Sequence, residues 1–355
     1  MREDLQLNVA LLRRRVPNLT QAAKAFGLRP ATVSNLCSGK APLARAEVRT
    51  LVALAMLGGC TLDELVLRGG GAGMMESGIK VLDLFAPLVR NGTMGIIARR
   101  DMGQLVIVQE LFQRYRQREY ATVFWTPGES TDGALDKEIQ AVMEYAECTA
   151  TTLDGIHQLV MTQCRDRDIL MAADRRTVLS GGLWALREKL AESGTPPITT
   201  ILVDTSGEAV DDDAPYGPLD TAIRLDMNLV SRQIFPAVDP VLSMSSLQEG
   251  SQLELTHVAV QQRGRKLLRR YRELRALVSA WGLERLSPTD QITYQRGERL
   301  EAFLSQPFYV AEQWTKIAGV SVALEDTITG VRKILDGYTD DWPVEKLRYI
   351  GRLEP

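Results

Sequence analysis

The sequence predicts an α/β core preceded by a small all-α head, and three observations predict it. Two short helix signals stand on either side of Gly27. The run Gly69-Gly70-Gly71-Ala72-Gly73 separates them from the longer remainder of the chain, in which four apolar runs alternate with helical patterns. With 355 residues the chain has room for two or three domains. A composition of 45% hydrophobic and 25% charged residues is that of an ordinary globular protein. No apolar run is long enough to span a bilayer, and the first 15 residues end in Arg13-Arg14-Arg15 rather than in a secretory leader, so a cytoplasmic protein without a membrane partner is expected.

In the head, Asn18 is placed to cap a helix, with Gln21 three residues on as its capping-box partner, and Gly27 breaks it. Pro30 suits the first turn of the next helix, where its missing N–H costs nothing, and Gly39 marks the stop. Ala23 lets the two helices approach closely. Spacing turns Val33 and Leu36 inward, leaving Ala31, Thr32, Ser34 and Asn35, with Lys40 beyond, for the edges and phosphates of double-stranded DNA. Residues 1–70 carry ten Lys or Arg against five acids, a balance of +5 that leaves -8 for the rest of a chain whose net charge is -3. A basic head on an acidic body suits that assignment, since phosphate attraction is the sequence-independent part of DNA affinity.

Residues 69–75 are expected to form a Gly-rich hinge between a head over 1–68 and a body from residue 76. The strands of the body are read at Gly95–Ala98, Ala121–Trp125, Ile169–Ala173 and Thr199–Val203, apolar on both faces as a covered parallel sheet requires. Cys37, Cys60, Cys148 and Cys164 are scattered, with only His157 and His257 as candidate co-ligands, which predicts four buried, reduced thiols and no metal site.

The first strand leads into the most telling motif. Residues 98–105 have the frame of a phosphate-binding loop, G-x-x-x-x-G-K-[ST], with Ala98, Gln104 and Leu105 at three of its defining positions. The Lys of such a loop neutralises the β and γ phosphates and its hydroxyl holds magnesium. Gln104 and Leu105 therefore remove a cation and a metal ligand together, and ATP hydrolysis is not expected. Arg99 and Arg100 are extra cations in the same loop, placed to meet an anion at a helix N-terminus.

Two resemblances sharpen this reading. The segment Thr20 to Lys40, with its Ala-Thr-Val-Ser-Asn-Leu-Cys-Ser-Gly-Lys core, resembles the lambda-repressor and Cro-like helix-turn-helix family over roughly the first 68 residues. Behind the hinge, Glu76–Leu88, Phe235–Pro240 and Phe303–Glu312 are similar, in the same order, to segments of the catalytic beta subunit of the rotary ATP synthase. That second resemblance implies a RecA-like domain over 76–240 and a helical C-terminal domain over 241–355, so the fold class becomes α/β with all-α ends. It also implies roles. Glu129 falls where the family keeps the carboxylate that orients attacking water, and Asp174 where a carboxylate acts on magnesium through water. Phe235, Phe308 and Trp314 match the aromatic positions around the adenine ring. With Arg99, Arg100, Gly103 and Gln104 they make a candidate nucleotide pocket, a base site without a phosphate site: the resemblance implies no certain cofactor, leaves adenine nucleotide without magnesium as a candidate ligand, and makes the carboxylates vestigial.

A final pattern is the cluster Arg263, Arg265, Lys266, Arg269, Arg270, Arg272 and Arg275 on one predicted helix. Arg265, Arg269 and Arg272 share a face at i, i+4, i+7 spacing, suited either to phosphate or to ion pairs such as Arg269 with Glu273. The whole reads as a sequence-specific transcriptional regulator acting as a dimer or larger assembly, with a catalytically inactive body. The alternatives are a non-hydrolysing nucleotide-binding homologue or a partner of ATP synthase subunits.

Overall fold

The computed structural model describes residues 4–354 apart from 8, 10, 11, 13–15, 17, 18, 38–40, 42, 44, 45, 70–72, 127–132, 165, 166, 196 and 249–252. The chain divides into two compact units, Met1–Met74 with Ser246–Glu254, and Met75–Ser245 with Leu255–Pro355.

The first unit runs β1 (Asp4–Leu7), α1 (Leu19–Ala25), α2 (Pro30–Cys37), α3 (Val48–Gly58), α4 (Leu62–Leu65) and β2 (Val66–Gly69). Gly27 turns the chain between α1 and α2 at φ +74°, a backbone region that costs other residues strain. Ala23, Val33, Leu36, Leu54 and Leu65 are buried together with Leu12 in one small core. Ala31, Thr32, Ser34 and Asn35 lie exposed on the other side of α2. The N-cap position Asn18, the stop at Gly39 and Lys40 lie outside the described residues. A feature without local signal is the antiparallel pairing of β1 with β2, Asp4 opposite Gly69 and Leu7 opposite Val66. Gly69, expected in the hinge, is thus the last residue of a strand, because its backbone finds partners about sixty positions earlier in the chain.

The second unit continues through β3 (Met74–Met75, at the boundary), α5 (Lys80–Phe85), β4 (Leu88–Val89), β5 (Thr93–Ile97), α6 (Gln104–Arg116), β6 (Ala121–Trp125) and α7 (Gly133–Tyr145). Next come β7 (Cys148–Ala150), α8 (Leu153–Thr162), β8 (Ile169–Asp174), α9 (Arg175–Leu179), α10 (Gly182–Glu192), β9 (Thr199–Val203), β10 (Thr221–Arg224), α11 (Met227–Ser231) and β11 (Met244–Ser245). The chain closes with α12 (Leu255–Trp281), α13 (Pro288–Leu304), α14 (Glu312–Thr315) and α15 (Leu324–Leu335). The sheet order is β11-β10-β5-β9-β8-β6-β7, parallel throughout except at β10–β11.

All four expected strands form, and they are buried on both faces. Alternate residues serve different cores: Leu170 and Ala172 pack into one cluster while Ile169, Met171 and Ala173 pack into the other. This is the period-two geometry of a strand covered on both sides. The first cluster also takes in Leu268, Tyr271 and Phe303 from α12 and α13, so the sheet and the C-terminal helices share one core. At the crossing of those helices a Cβ on Gly297 would stand 2.4 Å from that of Tyr271, so only glycine admits this approach.

Most arginines of α12 are engaged inside the unit. Arg265 donates to the carbonyls of Pro240, Phe85 and Ser243, and Arg272 grips the Asp239 carboxylate with both terminal nitrogens at 2.9 and 2.8 Å. Arg263 pairs with Asp336, and Arg270 with Glu273 and Asp290. The face expected to offer Arg265, Arg269 and Arg272 together offers Arg269 alone, because the other two fasten the helix to the sheet domain. Cys148 and Cys164 are buried as expected, but Cys37 and Cys60 are only half-buried. No described helix is long and apolar enough to cross a membrane.

Candidate functional site

The carboxyl ends of β5, β9 and β8 lie side by side, at the edge where open α/β sheets place their ligands, and those of β5 and β8 carry the loop and the Asp174 that the sequence singled out. After β5 the loop 98–103 turns through Asp101 at φ +64° and Gly103 at φ +90° into α6. Gln104 and Leu105 then enter the helix buried, at 3% and 2% exposure, and the Gln104 Oε1 has no hydrogen-bond partner. An uncharged amide turned inward cannot do the work of a lysine reaching for phosphate.

Asp174 closes β8 at 1% exposure and is fully engaged. Its Oδ1 accepts from the Arg176 backbone N–H and Nε, and its Oδ2 from the Thr205 N–H and hydroxyl, the latter at 2.6 Å. Asp204, at the end of β9, accepts from the Ser206 N–H and hydroxyl and from the Ala209 N–H. Two buried carboxylates therefore shape and pin the turn after β9. That turn lies against the start of the loop 98–103: a Cβ on Gly207 would stand 2.4 Å from the Arg100 backbone nitrogen. Arg99 reaches across to Asp211 at 3.0 Å, and Arg175 to Asp212 at 2.7 Å. The Arg99 pair is more than half exposed on both sides, so it contributes less than about 1 kcal/mol, and the buried hydrogen bonds of Asp174 do most of the holding.

Beside the loop opens a cavity of about 470 Å³, within the range of small-molecule sites. Gly103 and Val106 line it from the loop and α6, Phe235 with Pro236 from the segment before β11, Phe308 from the segment after α13, and Arg348 and Tyr349 from the chain's end. Its walls are anchored by buried polar groups. Glu110 on α6 accepts from the backbone N–H groups of Tyr309 and Val310 and pairs with Arg114 at 2.6 Å, both side chains being almost wholly buried. Tyr349 donates to the Gln233 carbonyl and accepts from the Phe235 N–H, and burial raises its phenol pKa.

Underneath, the Lys80 N–H donates to Gln306 Oε1, and its ammonium donates to the Ile350 carbonyl at 2.7 Å while lying over the Phe303 ring. Burial lowers the Lys80 pKa to about 7. Nearby in sequence, Asp83 accepts from Ser77 and Gly78, yet burial raises its pKa to about 7.

Of the residues expected to form a pocket, the structure gathers Gly103, Phe235 and Phe308 around this cavity. Trp314 does not line it and is 70% exposed, since α14 turns it to solvent. Arg99, Arg100 and Gln104 belong to the loop beside it, and Glu129 lies outside the described residues. Arg348 and Tyr349 had no sequence signal, because the chain's end carries no pattern pointing back to Phe235.

In the first unit, Thr32 and Asn35 border a groove of about 1120 Å³ shared with Arg29, Arg49 and the exposed Val48, Val52 and Met56 of α3.

Two comparisons with known proteins bear on the chain, one over part of its C-terminal region and one over its fold. The model of the C-terminal domain of V and A type ATP synthase matches residues 249–328. The matched stretch holds the crossing of α12 and α13 and the Phe308 wall of the cavity. Among solved structures, the chain is similar to a unique ATP synthase subunit, NeqB, from Nanoarcheaum equitans, with a TM-score of 0.56 at 17% identity, over 74% of this chain and 76% of that one. At that identity the likeness is one of fold: a parallel-sheet domain with a helical C-terminal region.

Proposed function

We propose that this chain is an ATP-synthase-subunit-like protein that binds a nucleotide-type ligand through its ring and does not hydrolyse ATP. The observation that carries this reading is the pairing of an anchored, aromatic-walled cavity with a loop whose cation and metal-ligand positions are the buried Gln104 and Leu105. Hydrolysis of a phosphoanhydride rests on electrostatic stabilisation of the transferring group, and the loop offers neither the lysine nor the magnesium ligand for it. Synthase-type subunits are the partners that the 249–328 match favours. The test is phosphate release by the purified chain with magnesium and ATP, against an Asp174→Ala control. Turnover that this change abolishes would overturn the reading. Co-purification of synthase subunits from cells tests the partner.

A second reading makes the chain a sequence-specific DNA-binding regulator, and one observation favours it. The small polar residues Ala31, Thr32, Ser34 and Asn35 are exposed on α2, while Val33 and Leu36 of the same helix are buried. Such a face suits a major groove, and heads of this kind act in pairs on half-sites. A mobility-shift assay on the DNA upstream of the chain's own gene, with Asn35→Ala as control, checks it. Absence of salt-sensitive, site-selective binding would end it.

A further inference from the structure

Helix α3 reads Val-Arg-Thr-Leu-Val-Ala-Leu-Ala-Met-Leu-Gly over residues 48–58, with Arg49 as its one charged residue, and is apolar nearly all the way round. A helix of that composition asks for cover on both sides. One side has it, since Leu54 and Ala55 belong to the small core of the first unit. The other side does not. Val48, Val52 and Met56 recur every four residues and so form one stripe along the helix, 71%, 39% and 68% exposed. Phe26, in the turn between α1 and α2, is 48% exposed and lines the same groove of about 1120 Å³. Ala46 and Ala53, with their small side chains, keep that groove hollow. An exposed apolar strip with a polar rim marks a contact surface.

Charge decides what covers it. Arg29 and Arg49 stand exposed in the lining and make no ion pair among the described residues, and Glu47 is the one carboxylate described there. Duplex DNA would answer the arginines but would lay phosphates and water over Phe26, Val48, Val52 and Met56, which gain nothing from either. A second copy of the same face would cover the stripe, yet it sets two arginines and a glutamate against an identical set, a net contact of like charge. An apolar helix face with carboxylates along its flanks satisfies the stripe and the rim together.

We propose that the groove between α2 and α3 docks an amphipathic helix of a protein partner, its apolar face on Phe26, Val48, Val52 and Met56 and its acidic flanks on Arg29 and Arg49. α3 spans about 16 Å, or about three turns, which matches anchors at i, i+4 and i+7 of such a helix. The inference concerns the first unit alone and stands apart from both readings of the function. Because Thr32 and Asn35 border the groove, a docked helix and DNA exclude one another there.

Fluorescence anisotropy of the full chain with two labelled synthetic helices tests this. Both carry leucines at i, i+4 and i+7 spacing, and they differ in their flanks, Glu in one and Lys in the other. The Glu-flanked helix is expected to bind roughly tenfold more tightly at low salt, a gap that narrows as salt is added. Val52→Asp, a change at an outward position, is expected to weaken that helix roughly tenfold, the scale of one anchoring contact. Arg49→Glu is expected to reverse the preference between the two helices, which a mere loss of folding cannot do. Equal affinity for the two, no binding of either, or a preference that survives Arg49→Glu would overturn the inference. A mixed-sequence DNA duplex that binds more tightly than the Glu-flanked helix, and is weakened by Val52→Asp, would give the groove to nucleic acid. A dimer in sedimentation that Val52→Asp dissolves would give it to a second copy, and either result overturns the inference too.

Discussion

The cavity side and the loop side of this site sit next to one another at one sheet edge and are built in opposite ways. On the cavity side, buried polar groups fix the walls in place: Glu110 grips the backbone at Tyr309 and Val310, and Lys80 supports Gln306 and the Ile350 carbonyl. On the loop side, buried polar groups close the edge: Asp174 and Asp204 hold the turn that packs on Arg99 and Arg100. Two buried carboxylates act there as scaffolding. The difference teaches that buried polar groups can keep one side of a sheet edge open while they close the other.

The largest expected effect that sharpens this comparison lies under the cavity side. Lys80 has a folded pKa of about 7 against an ordinary 10.5, so the unfolded chain takes up its proton first as pH falls. The Lys80 contribution is therefore fully present above about pH 10.5 and is lost progressively down to about pH 7, below which the loss is constant. Against a Lys80→Met variant, denaturant unfolding should show the parent losing up to about 5 kcal/mol across that window. A flat difference would mean that the ammonium stays charged in the folded protein. Next, Phe308→Ala removes a side chain that is both core and cavity wall, and should cost about 3–5 kcal/mol in the same measurement. On the loop side, Asp174→Ala leaves the Thr205 N–H and hydroxyl without their acceptor and should cost about 1–3 kcal/mol, with faster amide exchange at Thr205. Smallest is Arg99→Ala, whose exposed pair with Asp211 should change stability by less than about 1 kcal/mol. A cost for Arg99 equal to that for Asp174 would break the distinction between pinning from beneath and pairing at the surface.

How much of the molecule was legible depends on the range of the interactions. Strands such as Ala121–Trp125 and Thr199–Val203 announce themselves because burial on both faces demands an unbroken apolar run. Strand β10, with Thr221 and Ile223 buried and its alternate residues half-exposed, and the three-residue β7 carry too little signal to be read. The substituted loop was readable position by position, since Gln104 and Leu105 are local facts. What covers the loop was not, because Gly207 is a hundred residues away and nothing about a glycine in an acidic stretch says where its backbone packs. The arginines of α12 failed differently: helical spacing sorts residues onto faces but does not say which face meets the carbonyls of Phe85 and Ser243.

The outer strands of the large sheet have a consequence of their own. One rim is the three-residue β7 and the other the two-residue β11, which runs against its neighbour. So short a margin gives a passing chain almost no unsatisfied backbone to zip onto. Growth of the sheet by strand addition is therefore disfavoured at both rims.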